Sequence, residues 1–290
     1  MKHSIRQLAA WSVQREFVWR CLDGTVLRAT RLLDDERRRI EAARRQDVRT
    51  SVVHDAITTV CPDLIVKHGP FRGMRYPFAR SVYSALFPKL LGTYERELAP
   101  LLDRLWTRDY TEIVDVGCAE GYYAVGFALR FPKATVYAYD TDPEGVRLCR
   151  VLAEANGVAD RVVTGSFCDL GTLASIPFRG RALILSDCEG YERRLLSRDA
   201  LPLLAGHDVL VELHDFIDIS ISDQIRATFA ASHEIEAMES IDDIKKARTY
   251  EYPELARFDL ATRRVLLSEQ RPAIMEWFLM TARQPAPPTA

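Results

Sequence analysis

Two short segments carry more titratable side chains than a turn or a helix cap requires. One is Asp187-Cys188-Glu189-Gly190-Tyr191-Glu192, which follows the apolar run Ala182–Ser186. The other is Glu212-Leu213-His214-Asp215, which closes the apolar run Val209–Leu213. If both runs are parallel strands, these groups meet on the rim where open α/β sheets bind ligands, beyond the carboxyl ends of the strands. Two chemistries suit them. In the first, His214 is a general base whose pKa is set by Glu212 or Asp215, imidazole being the side chain that titrates nearest neutrality. In the second, Asp187 and Asp215, with Glu212, hold a divalent ion that acidifies a hydroxyl, and Glu189 or His214 takes the proton. The catalytic candidates are therefore Asp187, Glu189 and His214, and the metal candidates Asp187, Glu212 and Asp215. A plainer alternative for Glu189 and Glu192 is the first turn of a helix, which favours acids.

A second constellation lies upstream, in Val114-Asp115-Val116-Gly117-Cys118-Ala119-Glu120-Gly121-Tyr122-Tyr123. A strand ends at an acid, passes a glycine-rich turn and enters a helix. Glycine there lets the backbone approach a ligand that a side chain would hold away. The next strand ends in Tyr139-Asp140, an acid placed to accept from both hydroxyls of a ribose. The turn lacks the Gly-x-Gly-x-x-Gly of a dinucleotide site, which counts against an NAD-dependent oxidoreductase. Glu120 inside the turn would repel a pyrophosphate but tolerate a sulfonium that carries an amino acid.

Asp115-x-Gly117-x-Ala119-x-Gly121 resembles motif I of class I S-adenosylmethionine (SAM)-dependent methyltransferases, with Ala119 where the commonest form has its middle glycine. The resemblance implies that Asp115 and Gly117 border the methionine moiety and that Asp140 holds the ribose. It also implies that Phe167, Cys168 and Asp169 flank the adenine. Asp169 reads equally well as the N-cap of a helix over Leu170–Leu173, and Cys168 as a packed side chain. The Asp-x-Glu-Gly-x-Glu stretch at 187–192 is similar to that of FkbM-like methyltransferases, a group associated with O-methylation of sugars and secondary metabolites. Gly92-Thr93-Tyr94-Glu95 fits the same group, and the resemblance covers roughly Leu91 to Thr281. A related group of metal-dependent sugar O-methyltransferases holds Mg²⁺ with an acid after strand four and an acidic pair after strand five. Here His214 takes the first position of that pair, which disfavours a hard ion.

The elements that must position these residues alternate in type. Strand-like runs fall at Glu112–Val116, Thr135–Tyr139, Arg161–Thr164, Ala182–Ser186, Val209–Leu213, Glu234–Met238 and Glu276–Thr281, with helical stretches between them. That order predicts a Rossmann-like α/β sandwich around a seven-stranded, mainly parallel sheet. Residues 1–90 read as an N-terminal helical appendage with a junction loop, 91–283 as the methyltransferase domain, and 284–290 as a disordered tail. The mixed charges of 31–46 read as a solvated helix face. The loop His68–Pro77 places Arg72, Arg75 and Tyr76 at a surface from which they could close over a polar substrate.

With a net charge of −2 and pI near 6.3, no global basic field draws the chain to nucleic acid or anionic membrane. No apolar run approaches the ~18 residues that a membrane span needs. The start lacks a signal-peptide core, and Cys21, Cys61, Cys118, Cys149, Cys168 and Cys188 show no paired spacing. Buried free thiols in a reducing cytoplasm are the expectation. The expected function is SAM-dependent O-methylation of a hydroxyl on a sugar, polysaccharide end or glycosylated metabolite. Alternatives are transfer to a protein or nucleic-acid nitrogen, against which stands the absence of Asn/Asp-Pro-Pro-Tyr/Phe after strand four, or a non-catalytic scaffold, which would not need the acidic rim.

Overall fold

The computed structural model describes residues 28–283. The helical reading of residues 5–22, Cys21 and the tail 284–290 lie outside the described residues. Helix α1 spans Arg28–Val60, and its ion pairs Arg38–Asp34 and Arg37–Glu41 join exposed side chains one turn apart. The solvated-face reading of 31–46 agrees with this.

The chain divides at His54/Asp55, and the unit beginning at Asp55 holds the sheet. Its strands are β1 Glu112–Val116, β2 Thr135–Tyr139, β3 Val162–Gly165, β4 Leu183–Ser186, β5 Asp208–Leu213, β6 His233–Glu239 and β7 Glu276–Ala282. The intervening helices are α2 Leu86–Leu91, α3 Ala99–Leu105, α4 Tyr122–Arg130, α5 Pro143–Ala155 and α6 Leu170–Ala174. They continue with α7 Glu192–Leu195, α8 Leu201–Leu204, α9 Ile221–Phe229, α10 Asp243–Thr249 and α11 Leu260–Leu266. The sheet order is β3-β2-β1-β4-β5-β7-β6. Strands β1 to β5 pair in parallel, and β7 runs antiparallel between β5 and β6.

Burial explains the strand sequences. β1, β4 and β5 are buried at every position and read as near-continuous apolar runs, as expected of strands covered on both faces. β2, one place from the edge, alternates between buried and half-buried. Val114, Ile184, Val209, Val211, Phe229 and Phe278 belong to one core cluster under the sheet. Helices α5, α6, α10 and α11 start on aspartate caps, Asp142, Asp169, Asp242 and Asp259.

The segment 61–90, placed with the appendage by its sequence texture, packs with the sheet unit. Phe71 stands edge-on to Tyr122 and Phe127, at 5.1 and 5.7 Å between centroids. Gly126 makes room for it, since a Cβ there would lie 2.5 Å from the Phe71 ring. Helix α2 closes where Gly92 adopts φ 85°.

The strand order turns at β1, which pairs with β2 on one side and β4 on the other. Crevices at such a turning point are where α/β sheets bind ligands. A cavity of about 480 Å³ opens there.

Candidate active site

One end of the cavity is built by the β1 turn. Gly117 has φ 91°, and a Cβ on it would lie 1.6 Å from the Asp187 carbonyl oxygen, so only glycine fits between β1 and β4. Ala119 follows with φ 46°, and its N–H donates to Asp140 Oδ2 at 2.7 Å. The other Asp140 oxygen accepts from the Asp142 N–H at 2.8 Å. Two backbone amides thus fix the carboxylate at the cavity wall. Asp115 also lines the cavity, fully buried, with neither oxygen hydrogen-bonded within the protein. Burial, helped by the Asp140 charge, pushes its pKa up to about 7. A buried carboxyl without a partner costs roughly 1–3 kcal/mol, which a polar ligand group would offset.

Of the other cofactor candidates, Cys168 lines the cavity beside half-exposed Phe167. Gly121, with φ 94°, sits back from the cavity as the N-cap residue of α4. Asp169 does not face it. Its Oδ1 accepts from the Thr172 N–H at 2.8 Å, which is the N-cap reading. Tyr122 and Tyr123 both line the cavity as well as packing in the core.

Glu120 takes a different role from the one its place in the turn suggests. It is completely buried and absent from the cavity wall. Lys89 Nζ lies 2.5 Å from its Oε1, and Ser81 Oγ and the Val82 N–H donate to it at 2.7 and 3.0 Å. Lys89 neutralises its charge away from the cavity, so Glu120 does not repel a pyrophosphate as its place in the turn suggests. Glu120 instead ties the segment 81–89 to the turn, bringing Val82, Tyr83 and Ser84 onto the cavity wall. That role is not performed by Arg72, Arg75 or Tyr76, none of which lines the cavity.

The opposite end holds the acidic rim. His214 is buried, and its Nδ1 lies 3.0 Å from Glu192 Oε1, which also accepts from the His214 N–H at 3.1 Å. Nε2 looks into the cavity, 3.6 Å from Asp187, 3.5 Å from Glu189 and 3.7 Å from Glu212. Burial alone would lower the ring's pKa. The Glu192 hydrogen bond and the surrounding carboxylates outweigh it and raise the value above that of an ordinary histidine. Asp187 is pushed well above the usual carboxyl range by desolvation and by Glu212.

Arg271, from the segment before β7, lines the cavity beside this rim and braces it. Its guanidinium bonds to Glu212, to Glu95 at 2.7 Å and to Glu269 at 3.0 Å. Backbone strain also gathers here: Tyr83, Ala119, Glu189 and Gln270 all have positive φ and all line the cavity. Strain of order 1–3 kcal/mol per residue tends to persist where the surrounding structure serves a site.

Asp215 is not part of the rim. Its Oδ1 accepts from the Ser222 N–H at 2.9 Å at the start of α9, and it does not line the cavity. The metal-capable group among the described residues is Asp187, Glu212 and His214, whose ligand atoms lie within 4.8 Å of one another. An imidazole in the set and an arginine on Glu212 make it a poor fit for Mg²⁺, which prefers an octahedron of oxygens. Trp277 is core; His207 Nδ1 accepts from the Ala182 N–H, and His233 Nε2 bonds to the His207 carbonyl, away from the cavity. Cys61, Cys118, Cys149, Cys168 and Cys188 are free thiols.

A seven-stranded sheet with β7 antiparallel between β5 and β6, and a cavity at the ends of β1 and β4, is the class I methyltransferase fold. Residues 98–172 match the family model described as methyltransferase small domain, a stretch that runs from α3 through the cofactor turn to α6. The match supports methyl transfer from SAM and stops short of the acidic rim. No curated protein matches the chain. Among solved structures, an O-methyltransferase from Bacillus cereus in complex with SAH is 12% identical, covering 80% of this chain and 90% of that one, with a TM-score of 0.44. The O-methyltransferase TomG from Streptomyces achromogenes, in complex with SAM, is 13% identical, covering 66% and 82%, with a TM-score of 0.42.

Proposed function

We propose that the chain is a SAM-dependent O-methyltransferase, related to the FkbM-like group, that methylates a hydroxyl of a sugar or glycosylated metabolite without a metal ion. The observation that carries this reading is the placement of His214. One ring nitrogen is fixed on a buried carboxylate, and the other faces the same cavity as the Asp115–Asp140 cradle. The cradle suits the cofactor: Asp140 is held to accept from a ribose, and the orphaned Asp115 carboxyl awaits a polar group near Gly117. Cys168 and Phe167 supply the apolar wall for a purine.

Bound SAM supplies a methyl group already activated on a sulfonium, so alignment and proton removal are what the protein must add. Neutral His214 accepts the hydroxyl proton at Nε2 as the oxygen–carbon bond forms and the carbon–sulfur bond breaks. Glu192 holds the ring in the tautomer with Nδ1 protonated and stabilises the imidazolium that results. Asp187 lines the same cavity 3.6 Å from Nε2, where it can orient the acceptor hydroxyl.

Mass spectrometry of methyl transfer to a panel of glycosides, with and without EDTA, tests this account. O-methylated product is expected at an unchanged rate in EDTA. Loss of activity that Mg²⁺ restores would overturn the metal-free mechanism, and N-methylated product would overturn the acceptor class.

A further inference from the structure

One aromatic side chain on the cavity wall has no part in the methyl-transfer steps. Tyr83 lines the cavity and is 79% exposed, so packing does not explain its place. Every other tyrosine among the described residues is buried or half-buried. The backbone around Tyr83 is nonetheless fixed. Ser81 Oγ and the Val82 N–H donate to the buried Glu120 carboxylate at 2.7 and 3.0 Å, and the Ser81 and Ser84 hydroxyls lie 2.9 Å apart. Tyr83 itself takes φ 58°, a conformation that costs a bulky residue energy and persists only where its surroundings dictate it.

The far end of the side chain is anchored as well. The Tyr83 hydroxyl donates to Asp142 Oδ2 at 3.1 Å. Asp142 Oδ1 accepts from the Glu144 N–H to cap α5, and the Asp142 N–H donates to Asp140 Oδ1 at 2.8 Å. Arg80 pairs with Glu144 at 3.0 Å across the same junction. The phenol therefore runs from the 81–84 segment to the loop that holds Asp140, and Asp140 and Thr141 of that loop line the same cavity. An aromatic ring left open to solvent on a cavity wall has ligand surface to gain.

Resting on the methyltransferase reading, we infer that Tyr83 is a cofactor-binding residue. Its ring covers the ribose held by Asp140, and its hydroxyl steadies the Asp142 turn that aims that carboxylate.

Calorimetric titration of SAH and of 5′-methylthioadenosine into wild type, Tyr83→Phe and Tyr83→Ala tests the inference. The second ligand shares the nucleoside and lacks the amino-acid end. Covering about 50 Å² of apolar surface is worth roughly tenfold in affinity, so Tyr83→Ala should weaken both ligands by about that factor. Tyr83→Phe keeps the ring and should lose less than about threefold. Neither variant should change the Tm of the ligand-free protein, because the side chain is exposed. In wild type, saturating SAH should protect Tyr83 from hydroxyl-radical oxidation, read by mass spectrometry. SAH that binds Tyr83→Ala as tightly as wild type, or that leaves Tyr83 as readily oxidised, would overturn the inference and leave the cofactor reading standing. A loss confined to SAH would place Tyr83 at the amino-acid end and overturn it too. Failure of both ligands to bind the wild type would overturn the methyltransferase reading, and this inference with it.

Discussion

Replacing His214 with alanine is expected to lower kcat by at least about 100-fold, the usual scale of a lost general base, and to leave SAH affinity within roughly twofold. The asymmetry follows from position. His214 touches Glu192, Asp187, Glu189 and Glu212, whereas the cofactor cradle is built from the β1 turn and Asp140. The pH profile carries the sign. Neutral His214 is the working form, and its pKa lies above the ordinary 6.5. The rate should therefore fall as pH drops through a value above 6.5, where the ring becomes protonated. Glu192→Gln removes the charge that most favours the imidazolium, so that limb should move to lower pH. A merely structural role for Glu192 would change the rate without moving the limb. Equal loss of SAH affinity and turnover in His214→Ala would assign the residue to the cofactor or the fold instead.

Lys89→Ala is expected to destabilise the protein by about 3–5 kcal/mol, the range for removing one partner of a buried ion pair. Lys89 is 3% exposed and Glu120 is 0% exposed, so the carboxylate would be left charged without its counter-ion. For a chain of this size the loss corresponds to a fall in Tm on the order of 10 °C. Replacing both residues, Lys89→Met with Glu120→Gln, should cost much less, because no buried charge is then stranded. Thermal denaturation of the two variants checks the argument. A Lys89→Ala protein as stable as wild type would show that the pair does not hold the 81–89 segment to the turn.

These contrasts show what local sequence conveys. β1 and β2 could be bounded from sequence because continuous apolar runs stop at turn-forming residues, and the other strands differ from their predicted runs by only a residue or two at the ends. The cofactor turn was legible for the same reason: its glycines and its two acids lie within one β-α-β unit. Partnerships across the chain were not legible. Glu120 looked like a ligand-facing acid because its partner, Lys89, sits in another element. Glu192 read as an ordinary first-turn acid, since nothing local shows that the end of β5 brings His214 against it. Arg271, far along the chain from the Glu95 and Glu212 that it joins, gave no motif at all. Asp215 illustrates the reverse error, and Asp169 the choice that local sequence leaves open. An acid beside a strand end suits a ligand or a helix cap equally, and only the backbone path of α9 and α6 decides for the cap.

Titration of SAH into the wild-type protein and into Asp140→Ala, followed by calorimetry and thermal unfolding, tests the central claim most directly. Asp140 is the one cradle acid whose two oxygens are both fixed by backbone N–H groups, so its removal should weaken binding without unfolding the sheet. At about 100 times Kd, SAH should stabilise the wild type by roughly 2.7 kcal/mol, a rise in Tm of roughly 5–10 °C. Asp140→Ala should lose most of that rise. No shift with SAH or SAM, together with a clear shift with NAD, would contradict the assignment of the cavity to a methyl donor.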